Sequence, residues 1–491
     1  MASSRQLQQR DRTSMASEIA QGIPTEDGAR GLAHTLRSRH VTMISFGGII
    51  GAGLFVGSSA AIGVAGPAVV LSYAGSGLLI FLIMRMLGEM AVARPGHGSF
   101  AEYATLGLGH WAGFLTGWLY AYFWIITVGV ETIAGAKLLQ PWLAAAGLGV
   151  PVWALGLVLI SVMTLTNLMS VKAYGEFEFW FSLLKVSAIV VFIAVGLAFI
   201  LFFGPGLSAS WANLTSHGGL MPKGAGAVLA AVPVTIFSLV GSEVATLAAS
   251  ESDDPARNVA RASRTVALRI VVFYVLAIAI IVAVVPWNTL TPAYSPFITA
   301  LETMHIPGAA PAMSVVAIIA VLSCLNSGLY ITSRMLYELA RNGNAPGAFA
   351  DIAGNSVPVR GILIGSAAGY LAAIAAIWSP NVVFLFLINT SGAIILFIYM
   401  IVAYGQIRMR RDLERQGVAL PLKMWLFPYL SWAVIGGIVL VLVLMAFEPD
   451  LRVQLIWSGL SVAVVGAAYL IRRRSKPADL PGPSPIAAKG A

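Results

Sequence analysis

From Thr42 to Ile471 the chain repeats one pattern: an apolar run of about 20 residues, then a short polar or glycine-rich segment. Each run is long enough to cross ~30 Å of hydrocarbon as a helix. Twelve are predicted, at 42–62, 67–90, 111–136, 151–170, 178–203, 224–249, 266–288, 310–338, 360–378, 381–405, 426–447 and 452–471. The pattern predicts an all-α polytopic membrane protein with a single transmembrane domain over 36–475. Residues 1–35 are polar and lack the apolar core of a cleavable signal. They are expected to be a disordered tail, as is the Pro-, Ala- and Gly-rich stretch 476–491.

Two runs are interrupted. Gly47-Gly48-Ile49-Ile50-Gly51-Ala52-Gly53-Leu54-Phe55 lies in the first, and Phe237-Ser238-Leu239-Val240-Gly241-Ser242-Glu243 in the sixth. Dense glycine loosens a helix, and unpaired backbone groups are tolerated in a bilayer only where they line a polar cavity. Two breaks at the starts of similar helix blocks point to the midplane binding site of a secondary transporter. Close packing is the alternative for the first: Gly47 with Gly51, and Gly53 with Gly57, fit the small-xxx-small spacing of helix contacts. Density of glycine and the second break, supported by Pro233, favour unwinding. Exposed amides at a half-helix start suit a carboxylate, and carbonyls at a half-helix end suit an ammonium. Together they describe a receptor for a zwitterion such as an amino acid.

Composition strengthens this picture. The chain is 58% hydrophobic and 10% charged, against about 25% charged in soluble domains. The net charge of +9 is a topology signal. With both termini cytoplasmic, outward loops carry only Lys137, Lys223 and Arg452, while inward segments carry nearly all other basic residues, including Arg408, Arg410, Arg411 and Arg472–Arg474. Their dispersal over short loops argues against nucleic-acid binding.

Several chemistries are excluded. Cys324 is the lone cysteine, so no internal disulfide forms, and the six histidines lie in tails, loops or at helix ends without metal-ligand spacing. No phosphate-binding glycine loop is present, so work would draw on an ion gradient; no cofactor is expected. A channel would need charge rings or a carbonyl filter, and an intramembrane enzyme a catalytic pair; neither pattern appears.

Three ionisable residues fall well inside predicted spans: Glu131, Lys185 and Glu243. A charge at the bilayer centre costs at least ~2.5 kcal/mol, which makes each a functional candidate. Lys185 is nine residues past Glu176, about 13 Å along a helix. It either snorkels to the inner interface or carries a proton as a desolvated amine. Glu243 either caps backbone amides freed by the break or ties the unwound segment to a moving helix. Glu131 shares a helical face with Tyr120, Trp124 and Thr127, consistent with a cavity wall or with plain structure.

The strings RHVTMISFGGIIGAGLFVGS (39–58), AGPAVVLSYAGSGLLIFLIMRMLGEMAV (65–92), SVKAYGEFEFWFSLLKVSAI (170–189), ESDDPARNVARAS (251–263) and SRMLYELARNGNAP (333–346) carry a resemblance. From Leu36 to Ile471 the chain resembles the bacterial amino acid transporter family of the amino acid–polyamine–organocation superfamily. That resemblance implies a five-plus-five inverted repeat with helices 1 and 6 broken, and uptake of an amino acid with a proton across the cytoplasmic membrane. It assigns the substrate carboxylate to the amides of Ala52, Gly53 and Leu54, with Gly51 also in the substrate site, and the amine to carbonyls of Phe237, Ser238 and Val240. Lys185 matches the coupling lysine of the fifth span, and Glu243 the acid after the sixth-helix break; Glu131 joins them as a coupling candidate, and Tyr120 and Cys324 as cavity residues. Within the family, VLSCLNSGLYITSRMLY (321–337), MRMLGEMAVA (84–93) and WLYAYFW (118–124) look most like permeases for gamma-aminobutyrate, with Asn326, Ser327 and Tyr330 as further polar positions around Cys324. A permease for proline, an aromatic or a neutral alpha-amino acid is the alternative.

Overall fold

The computed structural model describes residues 50–94, 99–169, 171–203, 206–241, 243, 255–291, 294–352 and 357–475. The two tails, the start of the first break, Ser242 and the string 244–254 lie outside them.

Every regular element among the described residues is helical. In chain order they are α1 (Ala52–Phe55), α2 (Gly57–Ala65), α3 (Val69–Ala93), α4 (Phe100–Leu108), α5 (His110–Ala145), α6 (Val152–Met169), α7 (Val171–Ala198), α8 (Gly206–Thr215), α9 (Gly224–Ala230), α10 (Val232–Leu239), α11 (Pro255–Arg269), α12 (Ala277–Val284), α13 (Pro296–Thr303), α14 (Ala309–Arg341), α15 (Val359–Ala375), α16 (Pro380–Arg415), α17 (Tyr429–Phe447) and α18 (Pro449–Ser475). Among the described residues nine helical segments are long and apolar enough to cross a membrane, and Gly224–Leu239 and Val359–Ala375 are shorter apolar helices.

Two helices run past the ends of the apolar runs that predict them. α5 continues nine residues past the expected end and stops before Gly147 at φ 81°. α16 continues to Arg415, and Gly417 at φ 71° follows. Glycine in the left-handed region ends helices because other residues pay sterically there. α4 begins at Ser99, whose hydroxyl accepts the Glu102 amide at 3.3 Å, and its Phe100 is buried against Tyr120 and Tyr399.

α5 is the axis of the bundle. It is apolar all round and mostly buried, as expected of a helix enclosed by others. Small residues let its neighbours approach: a Cβ on Gly129 would stand 3.2 Å from Ala372, and one on Gly156 would stand 3.0 Å from Ala373. α16 crosses the sixth-span region in the same way, since a Cβ on Gly392 would overlap the Pro233 carbonyl.

A buried acid not anticipated from the sequence fastens one end of this bundle. Glu89 of α3, only 2% exposed, accepts bonds from the Met424 amide, from Gln406 at 2.9 Å and from Arg410 at 3.2 Å. Arg410 also donates to the Met424 carbonyl at 3.1 Å, and Arg85 donates to the Lys423 carbonyl at 2.7 Å while lying over Trp425. The segment joining α16 to α17 is thereby held against α3.

Candidate functional site

The two interruptions meet. α1 starts after Gly51, so the Ala52, Gly53 and Leu54 amides have no acceptor one turn back within the helix. α10 ends at Leu239, Val240 turns to extended backbone (φ −63°, ψ 152°), and Gly241 takes φ 99°. That dihedral favours glycine and explains its place in the second break. A Cβ on Gly53 would lie 2.7 Å from the Ser238 Cα, so the broken ends abut.

Between them lies a cavity of about 20 Å³, walled chiefly by Gly53, Trp124, Glu131, Phe237, Val240 and Cys324. That volume accommodates roughly one water. Phe123 lines it too and packs against Trp124 at 5.5 Å and Phe237 at 5.9 Å between ring centres. The Trp124 indole N–H is buried without an acceptor in hydrogen-bond geometry.

Both membrane carboxylates engage the breaks. Glu131, fully buried on α5, accepts the Ala52 amide with both oxygens, at 3.1 and 3.0 Å. The amide that the resemblance assigns to a substrate carboxylate therefore serves a protein carboxylate in this structure. Gly51 makes room for it: a Cβ there would come within 2.6 Å of Glu131 Oε1 and 2.7 Å of Cys324 Sγ. Glu243 accepts the Gly241 amide at 2.8 Å and the Tyr120 hydroxyl at 2.7 Å. It thus caps freed backbone and also links the second break to α5. Tyr120 is spent on that link and does not line the cavity.

Lys185 does not snorkel. It is 0% exposed and ion-paired with Glu178 of the same helix at 3.5 Å. Ser323 of α14 bridges them, accepting from Lys185 Nζ at 2.8 Å and donating to Glu178 Oε2 at 2.6 Å. Residues seven apart lie on one helix face two turns apart, so Glu178, Ser182 and Lys185 form a polar stripe. That spacing was the available signal for Glu178, which sequence reasoning missed along with Ser323. Cys324, next in the chain after Ser323, faces the cavity and is 5% exposed. Asn326 and Tyr330 do not surround it as expected. Asn326 accepts from Asn167 of α6 at 2.7 Å, and Tyr330 lies beneath the Arg334 guanidinium at 3.3 Å. Two residues along a helix are about 200° apart around its axis, which turns Asn326 away from the cysteine.

Comparison with known sequences decides the family. A family model described as amino acid permease matches residues 40–481. The chain belongs to the amino acid permease family. It is a multi-pass membrane transporter of amino acids and not an enzyme. The permease is 47% identical over 458 residues to the gamma-aminobutyric acid permease of Bacillus subtilis, covering 93% of this chain and 97% of that one. It is 44% identical over 448 residues to the gamma-aminobutyric acid permease of Escherichia coli, covering 90% and 94%. A probable GABA permease of Pseudomonas aeruginosa is 43% identical over 462 residues, covering 94% and 96%.

Proposed function

We propose that this permease takes up gamma-aminobutyrate with a proton, by alternating access, across a bacterial cytoplasmic membrane. The observation that carries the reading is the meeting of two backbone breaks at one buried cavity lined by Glu131, with Glu243 on the Gly241 amide and the Lys185–Glu178 pair bound to Ser323, the neighbour of the cavity residue Cys324. The names of relatives 43–47% identical support the substrate. In this reading the chain has twelve spans, the first ten forming two inverted five-helix repeats, and both termini are cytoplasmic.

Substrate binding follows from the chemistry of the breaks. The α1 amides of Ala52, Gly53 and Leu54 take the carboxylate, and carbonyls of Phe237, Ser238 and Val240 take the ammonium. Glu131 holds the Ala52 amide until substrate arrives, and the Trp124 indole supplies one more donor. Aromatic walls close to the breaks suit an unbranched chain, and gamma-aminobutyrate carries no alpha side chain. Displacing Trp124 and Phe237 enlarges the closed cavity to admit it.

Coupling rests on Lys185. Its ion pair with Glu178 is electrically neutral, which limits the cost of burying both groups. The bridging Ser323 orients a path along which a proton leaves the ammonium for its own hydroxyl oxygen while the hydroxyl proton passes to Glu178. Because Ser323 adjoins Cys324, movement of α14 around substrate alters this bridge.

The test is uptake of labelled gamma-aminobutyrate into proteoliposomes under an imposed inward proton gradient, with proline, phenylalanine and alanine as competitors. Accumulation above equilibrium that collapses with a protonophore and is displaced best by unlabelled gamma-aminobutyrate supports the reading. Gradient-independent equilibration removes proton coupling, and better displacement by a competitor reassigns the substrate.

A further inference from the structure

A second chamber lies at the end of the bundle that carries Arg472 and Arg473, remote from the breaks. It has a volume of about 620 Å³ and lies between the first turns of α5, the segment Gly343–Gly347 and the last turns of α18. Small-molecule sites typically measure ~300–1,000 Å³.

Its walls are graded from polar to apolar. Val464, Val465, Ala468 and Arg472 form one stripe of α18, and Val464 stands about 12 Å from Arg472 along the axis at ~1.5 Å per residue. α5 contributes Phe114 and, one turn farther from its start, Trp118. Arg472 lies over the Phe114 ring at 5.8 Å, so the guanidinium and the start of α5 share the outer end. The chamber therefore runs along the helices as an open groove, with a cation at one end and aliphatic and aromatic side chains along the rest, Val464 being 59% exposed.

That cation is not neutralised. Arg472 donates to the amide oxygen of Asn344 at 2.5 Å, and among the described residues no carboxylate lies within ion-pair distance of it. The Asn344 carbonyl is separately held by the Trp118 indole at 2.9 Å, which fixes the polar rim. Guanidinium has five donors, and phosphate is matched by its planar fork.

We propose that this chamber is a binding site for an anionic phospholipid of the surrounding leaflet, with the phosphate on Arg472 and part of one acyl chain between Phe114, Trp118, Val464 and Val465. An apolar groove with one cation at its end fits a molecule with the same polarity along its length. A free phosphate would satisfy the cation and leave the apolar part empty. Basic recesses between transmembrane helices recognise anionic headgroups for the same reason.

Native mass spectrometry on the purified full chain tests the site, using phosphatidylglycerol, phosphatidylcholine of identical acyl chains, and glycerol 3-phosphate. Phosphatidylglycerol should bind about fivefold more tightly than phosphatidylcholine, as one surface cation provides. Arg472→Gln should abolish that preference. Val465→Trp, which fills the interior, should weaken both lipids while proton-driven uptake persists, showing a folded protein. Equal binding of the two lipids by the wild type, or an unchanged preference in Arg472→Gln, overturns the assignment. Displacement of bound phosphatidylglycerol by glycerol 3-phosphate also overturns it, because the site would then recognise a soluble anion.

Discussion

Gly53 and Ser238, 185 positions apart in sequence, touch so closely that a Cβ on the glycine would stand 2.7 Å from the Ser238 Cα. Backbone cannot yield to that overlap as a flexible side chain can. Gly53→Val should therefore separate the two breaks and abolish gamma-aminobutyrate binding. Gly53→Ala, with a single methyl, should weaken it at least ~tenfold, or about 1.4 kcal/mol. Scintillation proximity binding on purified variants checks this, and wild-type affinity in Gly53→Val would show that contact between the breaks is dispensable.

Lys185→Met should eliminate accumulation driven by a proton gradient while leaving part of the exchange of external for internal substrate. Glu178→Gln strands the ammonium in a buried site, a change that costs ~3–5 kcal/mol where buried pairs are broken. It should likewise uncouple accumulation, and the double variant should be more stable than Glu178→Gln alone. Counterflow compared with gradient-driven uptake separates coupling from binding, and accumulation retained in Lys185→Met rules the lysine out.

Cys324 gives a chemical readout because it is the lone thiol of the chain. A small polar thiol reagent should inhibit wild-type uptake, spare Cys324→Ala, and act more slowly when gamma-aminobutyrate is saturating. Its burial against Gly51 and Glu131 predicts that the reaction is slow compared with that of an exposed thiol. Equal inhibition rates with and without substrate would place the thiol outside the binding cycle.

Removing Glu89 should act on stability. Glu89→Ala leaves Arg410, Gln406 and the Met424 amide without their common acceptor. With Arg410 still paired to Glu414 at 2.9 Å, loss of the shared acceptor predicts about 1–3 kcal/mol of destabilisation. Glu89→Gln, which keeps an acceptor oxygen, should lose less. Thermal unfolding in detergent measures both, and unchanged melting of the alanine variant would disprove the clamp.

Local chemistry made the membrane helices and the two breaks legible, because apolar length and glycine density act within one turn of chain. Gly51, Gly53 and Gly241 could be picked from sequence for that reason. Glu178 and Glu89 escaped because both sit near the ends of apolar runs, where an acid ordinarily meets water or headgroups. Their burial follows from partners far along the chain, Ser323, 145 positions from Glu178, and Gln406, 317 positions from Glu89. Asn326 departs from expectation for a different reason: the rotation of α14 between positions 324 and 326 turns it away from the cysteine. Lys185 was recognised as unusual, but its pairing with Glu178 changes its physics from a lone charge to half of a neutral pair.

The size of the cavity between the breaks bears on energy loss. A chamber with room for about one water cannot hold a continuous file of water across the bilayer midplane. In this shape the chamber itself offers a proton no file of water between the two breaks. Proteoliposomes without substrate are therefore expected to lose an imposed pH gradient slowly, so that an idle carrier spares the membrane's stored energy.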